Sequence, residues 1–150
     1  MIKRVDHLAI VVESIEGALG FWRDALGLPV TRTETNAREQ VEIAFLPIGE
    51  SEIELLEPTE ADSGIGRHLA KRGPGMHHVC VEVDDIEAAL ARLTAHGVML
   101  INDTPRVRDD GTRYAFVHPR SASGVLVELY EKPGAGSVLY QHLTLPTTCS

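Results

Sequence analysis

The sequence contains few cysteines, few basic residues and no long apolar run, and each of these shortages excludes a class of protein. The two cysteines, Cys80 in a predicted strand and Cys149 in the C-terminal tail, do not form a disulfide framework. The 14 Lys and Arg residues against 22 Asp and Glu residues leave a net charge of -8, and no Lys/Arg cluster is present, so we expect no nucleic-acid partner. Because neither a signal peptide nor a bilayer-spanning run is visible, we expect no membrane partner and a cytoplasmic location.

The main feature of the sequence is an internal repeat with a period of about seventy residues. The segments that begin at His7 and at Gly75 both contain a histidine, an apolar strand, a helix N-cap and a helix that opens on Ile-Glu. A repeat of this kind indicates two similar structural units. In a chain of 150 residues we therefore predict one domain, made of a module at 3–58, a linker at 59–75, a second module at 76–132 and a tail at 133–150.

The first module begins with an apolar strand at residues 5–12. Successive side chains of a strand point to opposite faces, so His7 lies opposite to the apolar side chains that can pack under a helix. These apolar side chains are Leu8, Ile10 and Val12. Ser14 is the predicted N-cap of the covering helix, and Gly27 follows its last residue.

Further strands complete both modules. They are predicted at 41–46, 52–56, 78–83, 114–117 and 125–132. The first two are joined by a turn at 47–51 and form a hairpin. Asp85 caps the helix of the second module, which ends near Gly97, and the linker contains a short helix at 67–71.

The pattern of elements predicts an α+β fold built from two tandem βαβββ modules. The tail from Gly134 onwards repeats nothing in either module. Its residues 138–145 either pair as an edge strand or belong to a disordered segment, and the sequence leaves both alternatives open.

Two histidines and two glutamates occupy equivalent positions of the two modules, and we predict that they bind a divalent metal. They are His7, Glu54, His78 and Glu128. A carboxylate buried between strands costs several kcal/mol unless it is paired, hydrogen-bonded or metal-bound. One such residue alone is more often an ordinary surface or core residue, so the prediction depends on the symmetric set. Glu52, on the same face as Glu54, and His77, next to His78, are the alternatives.

Four segments resemble the vicinal oxygen chelate superfamily, and the methylmalonyl-CoA epimerase family within it. They are Asp6–Val12, Ile53–Pro58, Gly75–Asp84 and His118–Leu129, inside a resemblance that runs from Val5 to Lys132. The resemblance implies a homodimer in which the two modules of each chain form a cupped, open, mixed sheet around one divalent metal. Cobalt is the implied metal, while nickel, manganese and zinc stay open, and a glutamine often stands at the position of Glu54 in that family. The implied ligands are His7, Glu54, His78 and Glu128.

The same resemblance implies the reaction. It is the epimerisation of (R)- and (S)-methylmalonyl-CoA, an acyl-CoA thioester, by proton abstraction at C2 through a metal-stabilised enolate. Glu42 is the implied base on one face of the substrate, and Glu128 is the candidate on the other. The sequence also singles out Glu42, because it interrupts an apolar strand and its counterpart in the repeat is Tyr114. The alternative is that Glu42 is a solvated carboxylate at a sheet edge.

Three other functions use related scaffolds. A glyoxalase I-type lactoylglutathione lyase has a similar set of two histidines and two glutamates, but the epimerase-like segments and Glu42 fit it less naturally. An extradiol dioxygenase binds iron through two histidines and one glutamate, which leaves Glu54 without a role. A metal-free small-molecule-binding protein has no need to bury four metal-ligand side chains.

Overall fold

The computed structural model describes residues 1–134, so the tail segment 138–145 and Cys149 lie outside the described residues. The strands are β1 (Ile2–Val11), β2 (Arg32–Asn36), β3 (Val41–Ile48), β4 (Ser51–Pro58), β5 (Gly75–Val83), β6 (Arg106–Val107), β7 (Arg113–Val117) and β8 (Val127–Glu131). The helices are α1 (Ile15–Leu19), which continues as a π-helical segment at Gly20–Ala25, α2 (Gly64–Arg72) and α3 (Ile86–Ala95), with a short 3₁₀ turn at Pro119–Ser121. Within residues 1–134, no helix has the length and apolar character needed to cross a membrane.

The strands form a mixed, open sheet. They are hydrogen-bonded in the order β2-β3-β4-β1-β5-β8-β7-β6. The β1–β4 pair is parallel, and the pairs β2–β3, β3–β4, β6–β7 and β7–β8 are antiparallel. Among the strands of residues 1–134, β2 and β6 are the two edges, so this sheet is open. The predicted α+β class with an open mixed sheet is confirmed.

The predicted βαβββ pattern requires three strands after each module's first helix, and the sequence-based prediction located only two of them; the strands that it did not locate are β2 and β6. β2 has the sequence Arg-Thr-Glu-Thr-Asn and is mostly exposed, so it shows no apolar alternation that could reveal a strand. Its five residues pair with five residues of β3, which is an apolar strand. β6 has only two residues, both exposed. Pairing with a neighbour, rather than local pattern, makes these segments strands.

The chain divides into two compact units. The N-terminal unit is Asp6–Val79, and the C-terminal unit consists of Met1–Val5 and Cys80–Ser150, described as far as residue 134. Strands β1 and β5 contribute residues to both units, because the division falls within each of them.

In the N-terminal unit, α1 covers the face of the sheet that alternation predicts. The buried cluster beneath it consists of Val12, Leu19, Ala44, Leu46, Ile53 and Leu55, with Leu8 and Ile10 packed against it. The Gly17 amide donates to Ser14 Oγ at 3.1 Å, so the predicted N-cap is confirmed. The Ile15 amide donates to Glu57 Oε1 at 2.8 Å, and this second cap is absent from the prediction. Both carboxyl and hydroxyl oxygens satisfy amides that a helix start leaves without partners.

The opposite face of the same unit is covered by α2. Ile65 and Leu69 of α2 pack on a buried cluster of Ala9, Val11, Val41 and Leu56. The helix begins three residues before the predicted segment 67–71 and ends at Arg72. The segment predicted as a linker therefore contains an element of the apolar core of this unit.

The β3–β4 hairpin has a shorter turn than the predicted segment 47–51. Ile48 pairs with Ser51, so only Gly49 and Glu50 connect the strands. Gly49 has a φ of 60°, which a two-residue hairpin turn of type II′ requires at its first central position. Glycine adopts this angle without steric cost, so the strands continue to the turn itself.

In the C-terminal unit, α3 packs on a separate apolar cluster. The buried members are Val83, Ile86, Leu90, Ala115 and Leu129. The Ala88 amide donates to Asp85 Oδ1 at 3.0 Å, which confirms the predicted cap, and the Ile86 amide donates to Glu131 Oε2 at 3.1 Å. The start of α3 thus has the same pair of caps as the start of α1.

We predict that Gly66→Ala destabilises the protein by about 1–3 kcal/mol, since it forces an overpacked contact. A Cβ atom at Gly66 would lie 2.5 Å from the carbonyl oxygens of Glu60 and Ala61, which are backbone atoms and cannot rotate away. Urea unfolding of both proteins measures the difference. The matched control is Gly64→Ala in the same helix, where no heavy atom lies within 4 Å of the added Cβ. Equal stability of the two variants would contradict the prediction.

Candidate metal centre

The N-terminal unit brings two of the predicted metal ligands into contact. His7 lies in β1 and His78 in β5, and only 6% and 9% of these residues is exposed. The Nε2 atoms of the two rings are 3.2 Å apart, and the rings meet edge to face, with centroids separated by 5.3 Å. His7 shares its face of β1 with Ala9 and Val11, as alternation predicts. Two ring nitrogens therefore face one another in a protected site.

Glu54 is the third predicted ligand in the same unit. It lies in β4 directly beside Ala9 of β1, and its Oε2 atom is 3.2 Å from His7 Nδ1. Its side chain is 13% exposed, whereas its neighbours Ile53 and Leu55 point into the cluster under α1. The predicted face of Glu54 is confirmed.

The donor set suits a divalent metal. Imidazole nitrogen and carboxylate oxygen are ligands that zinc, cobalt, nickel and manganese all accept, so the donor types suit the predicted ion without selecting one of these metals. His78 faces His7 Nε2, whereas Glu54 Oε2 contacts His7 Nδ1, so these two side chains contact different nitrogens of His7. Their low exposure also limits access of water to the site. The family resemblance adds Glu128, which belongs to the other unit, and its membership of the ligand set stays a prediction.

The two alternative ligands have other partners. Glu52 Oε2 lies 3.9 Å from Arg32 Nη1, and its side chain is 29% exposed. His77 Nδ1 lies 2.8 Å from His78 Nδ1, and its ring meets the ring of His68 with centroids 4.8 Å apart. Burial lowers the pKa of His68, and the charge of Arg72 lowers it further. These contacts place His77 beside the predicted ligand His78.

Asp6 is a member of the site that the sequence-based prediction does not include. Its Oδ2 atom lies 2.8 Å from His7 Nδ1, on the ring edge opposite to His78. The side chain of Asp6 is 14% exposed. The signal in the sequence is the Asp-His pair itself, because a carboxylate commonly orients a metal-binding histidine.

In the C-terminal unit, Glu128 is almost completely buried. It is 1% exposed, lies opposite Phe116 in the β7–β8 pair, and accepts a hydrogen bond of 3.0 Å from Arg108 Nη2. The Arg108 guanidinium also lies over the ring of Tyr114, at 3.9 Å from its centroid. Burial lowers the pKa of Arg108, but the charge of Glu128 and the hydrogen bond raise it by more, so the guanidinium stays charged. Arg108 is absent from the sequence-based prediction, because its contact with Glu128 joins residues that are distant in the chain and produces no pattern in the sequence.

The structure places Glu42 on the other face of the sheet from His7 and Glu54. In β3, Glu42 shares its face with Ala44 and Leu46, which belong to the cluster under α1. Thr35 Oγ1 donates a hydrogen bond to Glu42 Oε2. The structure therefore does not bring Glu42 to the site of the two histidines, and a catalytic role for Glu42 stays a prediction.

The strand registers also correct the repeat counterpart of Glu42. Glu42 pairs with Glu57, whereas Arg113 pairs with Glu131. Glu57 and Glu131 are equivalent, because each accepts a hydrogen bond from the first residue of a helix. The counterpart of Glu42 is thus Arg113 and not Tyr114.

Comparison with known proteins identifies the family. A sequence model of the glyoxalase/bleomycin resistance protein/dioxygenase superfamily matches residues 6–116. The chain belongs to this superfamily. This superfamily is also called the vicinal oxygen chelate superfamily, so the resemblance predicted from the sequence is confirmed.

Several members of the superfamily that resemble this chain are epimerases. The mitochondrial methylmalonyl-CoA epimerase of Mus musculus is 38% identical over 84% of this chain and 71% of its own. The ethylmalonyl-CoA/methylmalonyl-CoA epimerase of Cereibacter sphaeroides is 36% identical over 86% of this chain and 98% of its own. A solved methylmalonyl-CoA epimerase in complex with methylmalonyl-CoA and NH4+ is 36% identical, covers 88% of this chain and 96% of its own, and has a TM-score of 0.78. The vicinal oxygen chelate fold is therefore confirmed.

Proposed function

We propose that this superfamily member is an isomerase, a metal-dependent epimerase that interconverts (R)- and (S)-methylmalonyl-CoA. The observation that carries the proposal is the contact of His7 with His78 through Nε2 and with Glu54 through Nδ1, in a chain that has several relatives named methylmalonyl-CoA epimerase. The substrate is an acyl-CoA thioester, as the relatives' names indicate. A homodimer is proposed from the family resemblance alone.

The residues that would hold the metal are His7, Glu54 and His78, with Glu128 added from its equivalent place in the repeat. We propose Co²⁺ as the ion, with Ni²⁺, Mn²⁺ and Zn²⁺ as alternatives to be tested. When bound, a divalent cation acts as a Lewis acid and stabilises the negative charge that develops on a carbonyl oxygen by several kcal/mol. The low exposure of the two histidines keeps bulk water away from this charge.

The proton at C2 needs a base on one face of the substrate and an acid on the other. Glu42 and Glu128 are proposed for these roles. Glu128 is a buried carboxylate beside the charged Arg108, and Arg108 Nη2 donates to one of its two oxygens. For Glu42 the support is the family resemblance, and the register of β3 does not add to it.

The test is deuterium exchange at C2. We expect the protein reloaded with Co²⁺ to introduce solvent deuterium into methylmalonyl-CoA, and the metal-stripped protein to do so at least about a hundredfold more slowly. Mass spectrometry of the recovered thioester measures the exchange. A folded, Co²⁺-loaded protein that gives no exchange would contradict the proposal.

Parallel substrates separate the alternatives. Exchange with ethylmalonyl-CoA would widen the proposed substrate class without changing the reaction. Turnover of methylglyoxal with glutathione, in the absence of C2 exchange, would instead identify a glyoxalase I-type lyase. Binding of a CoA thioester by stripped protein, with no turnover of any substrate, would identify a metal-free binding protein.

A further inference from the structure

Glu82 is a buried carboxylate of the C-terminal unit, and three cations of the same unit approach it. Its side chain is only 6% exposed, so its charge has to be compensated by neighbours. Arg4 Nε donates a hydrogen bond of 2.8 Å to Glu82 Oε1. Lys3 Nζ lies 3.7 Å from Glu82 Oε2, and Lys132 Nζ lies 3.8 Å from Glu82 Oε1. The cluster thus joins the beginning of β1, the strand β5 and the residue that follows β8.

The two lysines carry their charge close to Glu82 without forming a hydrogen bond to it. Their distances of 3.7 Å and 3.8 Å are longer than a hydrogen bond, whereas the contact of Arg4 has the length of one. The side chains of Lys3 and Lys132 are 54% and 47% exposed, so their ammonium groups keep N–H donors for a partner from the solvent. Because Arg4 already compensates Glu82, the two lysines add positive charge that the burial of this carboxylate does not require.

The neighbouring carboxylates have cations of their own. Asp84 accepts a hydrogen bond from the Met1 ammonium, which is the main cause of the lowered pKa of Asp84, and the charge of Lys3 adds a smaller effect. Glu131 accepts a hydrogen bond from Arg113 and another from the first amide of α3. Neither of these carboxylates therefore forms a hydrogen bond with a lysine of the cluster.

We propose that Lys3 and Lys132 form a binding site for phosphate groups. An ammonium group binds phosphate oxygens through charge-assisted hydrogen bonds. The two lysines approach the two oxygens of one carboxylate, so their ammonium groups are close enough to repel each other, and a bound dianion removes this repulsion. The identity of the ligand rests on the proposed function, since the CoA part of the substrate carries phosphate groups.

The charge of the whole chain gives such a site a purpose. With a net charge of -8, the protein repels a polyanionic ligand such as CoA. A local group of cations offsets this repulsion at the place where the phosphates bind. The sequence does not reveal the group, because Lys3 and Lys132 lie near opposite ends of the described chain and meet only through the pairing of strands.

Isothermal titration calorimetry at low ionic strength, where exposed charges are little screened, tests the site with CoA as the probe. An exposed ion pair is worth about a threefold change in affinity, so we expect the double variant Lys3→Gln/Lys132→Gln to bind CoA roughly tenfold more weakly than the unaltered protein. The affinity for pantetheine, which has no phosphate, should not change. The matched control is Lys71→Gln, which removes the charge of an exposed lysine in α2 and should leave CoA binding unchanged.

A folded double variant that binds CoA as tightly as the unaltered protein would overturn the proposal. Circular dichroism checks the fold. If the double variant does not fold, the two single variants decide the question in the same way, each with an expected loss of about threefold.

Inorganic pyrophosphate separates the site from the identity of its ligand. Pyrophosphate binding that weakens in the double variant, in a protein that does not bind CoA, would uphold the phosphate site and contradict the proposed substrate. Absence of binding of both CoA and pyrophosphate by the unaltered protein would overturn the site.

Kinetics distinguish a failure of this inference from a failure of the proposed function. The phosphate contacts are the same before and during proton transfer, so the double variant should raise KM for methylmalonyl-CoA roughly tenfold and leave kcat unchanged. C2 exchange with a KM that does not depend on the lysines would contradict the lysine site alone. CoA binding that depends on the lysines, in a folded, Co²⁺-loaded protein without C2 exchange, would contradict the proposed function alone.

Discussion

Replacing His78 by alanine is expected to remove the metal from the protein and to abolish C2 exchange. His78 contributes one of the two Nε2 atoms that lie 3.2 Å apart, and the substitution leaves His7 as the single imidazole of that pair. Loss of a hydrogen-bond partner of a metal ligand lowers metal affinity by roughly 10–100-fold, and loss of the ligand itself should lower it by more. Metal content after dialysis and the rate of deuterium entry at C2 measure the two effects.

The control for this variant is His96→Ala. His96 is exposed at the end of α3, and its substitution should leave metal content and exchange unchanged. Circular dichroism of both variants separates loss of metal from loss of fold. A folded His78→Ala protein with full metal content would contradict the assignment of His78 as a ligand.

If Glu42 is the proposed base, its replacement by glutamine lowers the rate of C2 exchange by at least about a hundredfold, the usual contribution of a general base. Its place on the other face of the sheet from His7 and Glu54 predicts an unchanged rate instead, so this variant decides between the family resemblance and the strand register. Glutamine has nearly the same shape as glutamate but cannot take up the proton. Because Glu42 lies on the other face of the sheet from His7 and Glu54, metal content should not change. The two readouts together distinguish a base from a ligand.

Glu57→Gln is the matched control, since Glu57 is the neighbour of Glu42 across the β3–β4 pair. Its amide oxygen can still accept the hydrogen bond from Ile15, so we expect the fold and the exchange rate to be retained. Equal loss of exchange in both variants would indicate that the substitutions disturb the packing of the sheet face under α1, and would not identify Glu42 as a base. Full exchange by Glu42→Gln would contradict the proposed role of Glu42 as a base. Glu128 would then be the candidate base that is left.

The predictable parts of the fold are those with a local cause. Alternation along β1 places Leu8 and Ile10 under α1, and the side chains of Ser14 and Asp85 accept hydrogen bonds from amides three residues ahead. Such features depend on neighbours in the chain and can be recognised in a single sequence. β2 shows the limit, because its five polar residues become a strand only through pairing with β3.

The face of Glu42 shows a second limit. Residues 41–46 are apolar on both sides apart from Glu42, so alternation within the segment does not show which side faces the histidines. The pairing of Glu42 with Glu57, in a strand where Ile53 and Leu55 lie under α1, decides the face. That pairing is a property of two strands and of their register.

The sequence by itself determined the repeat, the α+β class and the positions of His7, Glu54, His78 and Glu128, because these depend on spacing and on the period of a strand. The tertiary structure decided which side chains touch in the N-terminal unit. It added Asp6 and His77 to the histidine pair and placed Glu42 on the other face. The physical reason is that hydrogen-bond partners are selected by distances of about 3 Å between atoms, which only the packed chain defines.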